Sequence, residues 1–322
     1  MVLLTPPLEF HDKMKHNKEQ ETEVKKLCCP KCKSQNYKKR GLRQTENRGK
    51  IQRYFCKDCK TSFVEDDGFF RMRNSPQKIT CAIDLFYRGI STRKVQEHFK
   101  AFYPHNSSWV SIYSWIVKYS AIISKFTDKI KLNVGAELQV DEMEFHRRKS
   151  HKRKLGNDKN WFIDSIDPKT KFMVSSQYAK RRTQVEMKKV IQIAKNKTGT
   201  QIKICTTDGF LAYSKVVKKV GGYNNKLGKY NFYHNIRNAS AGQGFNHPIE
   251  RLHNNIRQRT KTFRGFHGSI KSANAIMKGW EIYYNFITEH QTIQKCPYEL
   301  ACPELKLENP NKWLELINFS KQ

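Results

Sequence analysis

Two short apolar runs of this chain, ELQVDEMEF and IKICTTDGF, carry aspartates at or near their ends, Asp141 and Asp208. A third acidic residue, Glu250, stands in NHPIERLHNNIRQR, where Ile249, Leu252, His253 and Ile256 recur at i, i+3, i+4 and i+7. That spacing puts an apolar stripe on one helix face, with Glu250 at its edge in the first turn. Pro248 suits the start of this helix after Asn246 as its cap. A carboxylate ending an apolar strand needs water, a partner or a cation. From the edge of its helix stripe Glu250 could face the strand ends.

Periodicity fills in the rest. Residues 136–145 read as a central strand, and 161–164 and 172–176 as the next two, turning at Asp167-Pro168. Residues 183–194 read as an amphipathic helix with Val185, Val190, Ile191 and Ile193, and 201–207 as a further strand ending just before Asp208-Gly209. Strand, meander, helix, strand, helix matches a ribonuclease H-like core. This predicts an α/β protein with a retroviral-integrase-type mixed sheet over residues 134–290. In such a core the carboxylates converge, and their mutual repulsion is costly unless cations bind. Two Mg²⁺ (or Mn²⁺) held by Asp141, Asp208 and Glu250 suit that hard oxygen set. Glu142 and Glu144 are nearby rivals, with side chains expected to point elsewhere.

Nine cysteines are present, four of them in Cys29-Pro-Lys-Cys32 and Cys56-Lys-Asp-Cys59 with 23 residues between the pairs. Two such knuckles supply four thiolates for one tetrahedral Zn²⁺, the framework of a zinc ribbon over residues 27–66. Cys28 could replace Cys29 as ligand. Tyr54, Phe55 and Phe63 are its expected small core, and Lys38, Lys39, Arg40 and Arg43 its basic flanks. Residues 1–26 read as a polar leader.

Between ribbon and core, residues 76–125 read as three helices. The first holds Ile79, Ile83, Leu85 and Phe86; Gly89-Ile90-Ser91 turns into a second through Val95 and Phe99. A third, capped within 106–108, holds Val110, Ile112, Tyr113, Trp115, Ile116 and Tyr119. Such a unit suits a helix-turn-helix whose last helix enters the major groove. Ser107, Ser108, Ser111 and Ser114 are candidate base-reading positions, with Lys118 on the backbone. A plain helical bundle linking two domains is the alternative.

Charge sets the partner. The 322 residues carry 61 Lys and Arg against 29 Asp and Glu, a net charge of +32 spread along the chain. Such a field attracts polyanions in a salt-dependent way. No run is long and apolar enough for a membrane span, and MVLLTPPLEF is no signal peptide. Two basic clusters flank the acidic residues: Arg147, Arg148, Lys149, His151, Lys152, Arg153 and Lys154 after Asp141, and Arg257, Arg259, Lys261 and Arg264 after Glu250. With Asn254, these are expected on phosphates, setting register rather than reading sequence. Tyr283, Tyr284 and Phe286 are expected in the core. The last thirty residues, with Pro297, Pro303 and Pro310, read as an irregular tail with one short helix near Trp313.

The contexts VDEMEF, TTDGFLAY and NHPIERLHNNIRQRTKTFRGF resemble those of the DDE transposases and integrases of insertion sequences. The closest look is to the family of the sixth-numbered bacterial insertion sequence and its archaeal relatives. LFYRGISTRKVQEHF with SIYSWIVKYS, and WEIYYNFITEHQTIQKCPYELA, look similar as well, so the resemblance spans residues 28–302. The 41 residues between Asp208 and Glu250 exceed the family's usual interval, and the excess is expected in the loop 221–244. The resemblance implies metal-dependent strand cleavage at terminal repeats and attack of the freed 3′ hydroxyl on target DNA. It also implies a synaptic homodimer on double-stranded DNA and a cytoplasmic, nucleoid-associated location in a prokaryote. A DNA-binding regulator on an inactive scaffold, or a nuclease that cuts without joining, are the rival expectations.

Overall fold

The computed structural model describes residues 27–45, 48–69, 72–103, 107–145, 147–148, 157–237, 242, 246–260 and 269–321. The leader 1–26 and the predicted contacts Lys149, His151, Lys152, Arg153, Lys154, Lys261 and Arg264 lie outside them, as do the side chains of Arg147, Arg148 and Arg259. The chain forms two compact units, Met1–Asp66 and Asp67–Gln322.

In the first unit, strands β1 (Tyr37–Thr45), β2 (Gly49–Cys56) and β3 (Ser62–Val64) make an antiparallel sheet in the order β1-β2-β3. Its core is small: Cys29, Cys56 and Phe63 are buried, with Tyr37 and Tyr54 packed against them. Each cysteine knuckle closes with a lysine in the left-handed region, Lys33 at φ 61° and Lys60 at φ 56°. A non-glycine residue there costs about 1–2 kcal/mol, which so few apolar contacts offset poorly and which a bound metal would outweigh.

The second unit opens with α1 (Pro76–Tyr87), α2 (Thr92–Phe102) and α3 (Trp109–Thr127). All three start on a serine, Ser75, Ser91 and Ser108, whose hydroxyl accepts from the backbone N–H three residues on. A mixed sheet follows, built from β4 (Glu137–Glu144), β7 (Trp161–Ile166), β8 (Met173–Ala179), β9 (Ile204–Thr207) and β12 (Tyr233–Ile236) in the order β12-β9-β4-β7-β8. β4, β7 and β8 are an antiparallel meander, whereas β9 and β12 join β4's other edge in parallel. Two-residue pairs β5 (Arg147–Arg148) with β6 (Asn157–Asp158), and β10 (Tyr223–Asn224) with β11 (Lys229–Tyr230), complete the strands. Helices α4 (Gln184–Thr198), α5 (Ala212–Gly221), α6 (His247–Thr260) and α7 (Ile270–Ile282) alternate with them. A π-helical turn, Tyr283–Ile287, extends α7 before the short α8 (Pro297–Ala301) and α9 (Lys312–Phe319).

The segments predicted as separate domains, 76–125 and 134–290, fall in the same unit. Gly279 shows why. A Cβ there would sit 1.9 Å from the Tyr87 hydroxyl and 2.3 Å from Ser120 Oγ. Only glycine lets α7 approach α1 and α3 so closely, and Tyr87 uses that proximity to donate to the Ile276 carbonyl at 3.1 Å.

Several expectations are corrected. The tail is no irregular appendage: Trp313 stacks on Tyr87 at 5.5 Å, and its indole N–H donates to Asp84 at 3.2 Å. Residues 221–244 include a hairpin and the edge strand β12 rather than being loop throughout. Val185 and Val110 are exposed, while Met187 and Ala194 fill the α4 face. Among the described residues, no helix is long and apolar enough to cross a membrane.

Candidate active site and metal centre

The first unit places Cys29, Cys32, Cys56 and Cys59 together, with all four sulfurs within 4.8 Å of one another. Cys29 and Cys59 approach to 3.5 Å, as do Cys32 and Cys56. Tetrahedral Zn–S bonds of about 2.3 Å imply sulfurs about 3.8 Å apart, so this donor set fits a structural zinc. Backbone donors shape the knuckles, with Cys29 N–H to Ser34 O at 2.8 Å and Cys56 N–H to Thr61 O at 2.9 Å. The ligands are the predicted four, and Cys28 is not among them.

In the second unit, β4 pairs Gln139 with Thr206 of β9. The ladder ends there, and Asp141 and Asp208 each follow two residues further on. On β4's other side Asp141 faces Asp164 of β7. Asp208 shapes the turn after β9 by accepting from the Phe210 N–H at 3.0 Å. On α6, Ile249, Leu252, His253 and Ile256 are all buried, as the stripe predicted.

His253 is the link. Its Nε2 lies 2.7 Å from Asp164 Oδ1, and its Nδ1 lies 3.6 Å from Asp141 Oδ2. Asp164 is fully buried, and its Oδ2 has no hydrogen-bond partner. Burial pushes the Asp141 carboxyl up to about 7, against the pull of His253. Burial raises Asp164 too. For His253 burial alone would favour the neutral ring, but the Asp164 carboxylate overrides it and the pKa rises.

Glu142 does point elsewhere, yet it stays at the site. Its side chain is only 2% exposed, accepts from the Tyr213 hydroxyl and pairs with Arg182 at 3.1 Å. Burial raises its pKa, against the pull of the Tyr213 hydrogen bond, and the Asp208 carboxylate adds to the rise. Arg182 lies over both Trp161 and Phe210, 4.5 Å from each ring centre. That sandwich ties β4, β7 and the turn after Asp208 together.

Glu250 sits one helical turn before His253. One of its oxygens accepts from the Asn246 N–H at 3.3 Å, whereas the Asn246 side-chain oxygen expected to cap α6 is buried without a partner. Among the described residues, the four cysteines alone form a metal-capable group drawn within 4.8 Å. Asp141, Asp208 and Glu250 are spread more widely.

The remaining predicted contacts divide. Asn254 and Arg257 are exposed on α6, with the guanidinium 3.4 Å from the Asn254 side-chain oxygen. Ser108, Ser111 and Lys118 lie along α3, where Ser108 caps the helix. Ser114 donates back to the Val110 carbonyl at 2.9 Å. Ser107 is a correction: it is buried and donates to Asn74 at 3.0 Å, so it cannot read a base. Sequence reasoning missed Asp164, His253 and Arg182 as site residues. A charge inside the apolar run WFIDSI and a histidine on the α6 stripe were the available signals. Comparison with known proteins finds no family model that matches this chain and no curated protein that matches it.

Proposed function

We propose that this chain is a DNA transposase: a ribonuclease H-like core carrying an Asp141-Asp208-Glu250 triad, a helix-turn-helix in α1–α3 and a zinc ribbon. The observation that carries this reading is the parallel pairing of β4 with β9, the strands that lead to Asp141 and Asp208, with His253 of α6, one turn after Glu250, 3.6 Å from Asp141. The strand order β12-β9-β4-β7-β8, antiparallel on one side of β4 and parallel on the other, supports the core assignment. The surplus of buried carboxylate over facing cation supports a divalent-metal site. Bound Mg²⁺ or Mn²⁺ would activate the attacking hydroxyl and stabilise the leaving 3′ oxygen.

The chain's own residues orient this chemistry. His253 holds one Asp141 oxygen while anchored on Asp164, and Arg182 braces the turn that carries Asp208. Glu250 is held at the α6 start through Asn246. Arg257 and Asn254, on the exposed face of the same helix, suit the phosphates of a duplex laid across the site, and net charge +32 suits its approach. A homodimer pairing two DNA ends completes the proposal.

The test is strand transfer by full-length protein with Mg²⁺ or Mn²⁺ on a labelled duplex carrying the flanking element's end. Wild-type protein should give joined products, and Asp208→Ala none. Cleavage without joining would favour a nuclease. Tight binding with neither cleavage nor joining would favour a regulator and overturn the enzyme reading.

A further inference from the structure

Between Asp208 and Glu250 the sequence has no acidic residue, yet it holds Lys215, Lys218, Lys219, Lys226, Lys229 and Arg237. The same stretch exposes aromatic side chains to water: Tyr223 by 55%, Tyr230 by 44% and Tyr233 by 68%. Exposed tyrosines this close together do nothing for the core.

They are nevertheless held firmly. Tyr223 and Tyr230 are cross-strand partners in the β10–β11 hairpin, their rings 5.2 Å apart edge to face. Lys218 reaches over Tyr230 at 5.5 Å. The hairpin turn is closed by the Asn224 side chain, which accepts from the backbone of Lys226 and Leu227 at 3.0 and 3.2 Å. Buried Phe232 docks against Gly221, where a Cβ would meet its ring at about its own Cβ, 2.9 Å away. Beyond it, β12 pairs with β9, the strand that ends at Thr207, just before Asp208. His234 of β12 also bonds Thr207 at 2.9 Å. Tyr233 is therefore on the same sheet as the candidate site, and the hairpin carrying Tyr223 and Tyr230 directly precedes it in the chain.

From this we infer that the β10–β11 hairpin and β12 form a binding surface for single-stranded nucleic acid. Unpaired bases stack on Tyr223, Tyr230 and Tyr233, and the lysines take the phosphates. Every base has a π-face, so such stacking tolerates sequence, and a cationic track beside it follows the backbone. A second copy of this chain is a poor occupant, because it would bring a like-charged surface against this one. The inference rests on the nucleic-acid reading above and adds an unpaired strand near Asp208 to it.

The test is fluorescence anisotropy of full-length protein with labelled oligothymidylate and with a duplex, without added Mg²⁺. Tyr223→Ala, Tyr230→Ala and Tyr233→Ala should each weaken strand binding roughly tenfold, near the low end of base-stacking energies. Duplex binding should hold, and the Tyr→Phe variants should bind like wild type. Lys226→Ala and Lys229→Ala should each flatten the salt dependence by about 0.7 in slope. Alanine variants that bind the strand as wild type does would overturn the inference. So would variants that change only the association state in sedimentation, which would mark a protein-docking surface. Wild-type protein that binds neither strand nor duplex would overturn the transposase reading as well. Joined products from wild-type protein, together with unchanged strand binding by the alanine variants, would overturn this inference alone.

Discussion

Between α3, α4 and α7, Lys197 and Lys278 meet Asp128 and Glu281, two positive charges against two negative ones, at 3.0 to 3.5 Å. Ser176 and the Val174 carbonyl bind the remaining valences. Around His253 the count differs. Among the described residues, Asp141, Asp164 and Glu142 are faced by one imidazole and one half-exposed guanidinium, and a buried oxygen of Asp164 has no partner. The first group is closed: every charge is answered within the fold, so it needs nothing from outside. The second is open, and the divalent cations proposed above would close it. The cysteine cluster is the counterpart in the other unit, where four sulfurs lie close enough to hold one metal ion. Charge balance, more than burial, separates what holds this fold together from what it is built to bind.

Three perturbations probe that contrast. Metal removal from the cysteine cluster should act most strongly, because structural zinc supplies on the order of 10 kcal/mol to so small a unit. Chelation, or Cys56→Ser, should abolish hydrogen-exchange protection in 37–64 while leaving protection of the second unit unchanged. Protection surviving in β1 and β2 would show that the ribbon folds without its metal.

Breaking the closed network comes next. Glu281→Gln or Lys197→Met should each cost about 3–5 kcal/mol in denaturant unfolding, since each leaves a buried charge unanswered. The double variant, which restores one cation against one anion, should recover much of that loss. Simple addition of the two losses would show that balance is not what the network provides.

The open site should behave in reverse. Its aspartate is held protonated by burial up to about pH 7, well above its ordinary value. Ionising it inside the fold costs stability, so metal-free wild-type protein should lose stability as pH rises toward and through 7. Asp141→Asn cannot ionise, so its melting temperature should fall less over that range and exceed wild type at pH 8. Parallel pH profiles for the two proteins would refute the penalty. The same variant should be inactive in strand transfer, trading function for stability.

Much of this was legible from local pattern. The cysteine spacing, the bounds of α1, the capping roles of Ser91 and Ser108, and the buried stripe of α6 all rest on neighbours within a few residues. Asp141 and Asp208 could be named because each ends or interrupts an apolar run. What stayed hidden depends on distant partners. The strand β12, YHNI, has no apolar alternation; it is a strand because β9 offers it an edge. Val185 fits an apolar stripe but faces water, because Met187 and Ala194 take the packing surface. Ser107 looked free until Asn74 was beside it. His253 was assigned to the core by period alone, and only the β4–β7 register reveals the two carboxylates it bridges.

The spacing of the site along the chain has a consequence during synthesis. The strands leading to Asp141 and Asp208 come together only when β9 joins β4 in parallel, and α6, which carries Glu250 and His253, follows later still. Chains emerge from their N-terminus and fold as they go. The ribbon and the α1–α3 helices leave the ribosome well before the three acidic residues can share one surface. A nascent or truncated chain ending before α6 therefore carries both of its proposed DNA-binding elements and no complete triad, and would occupy DNA without cutting it.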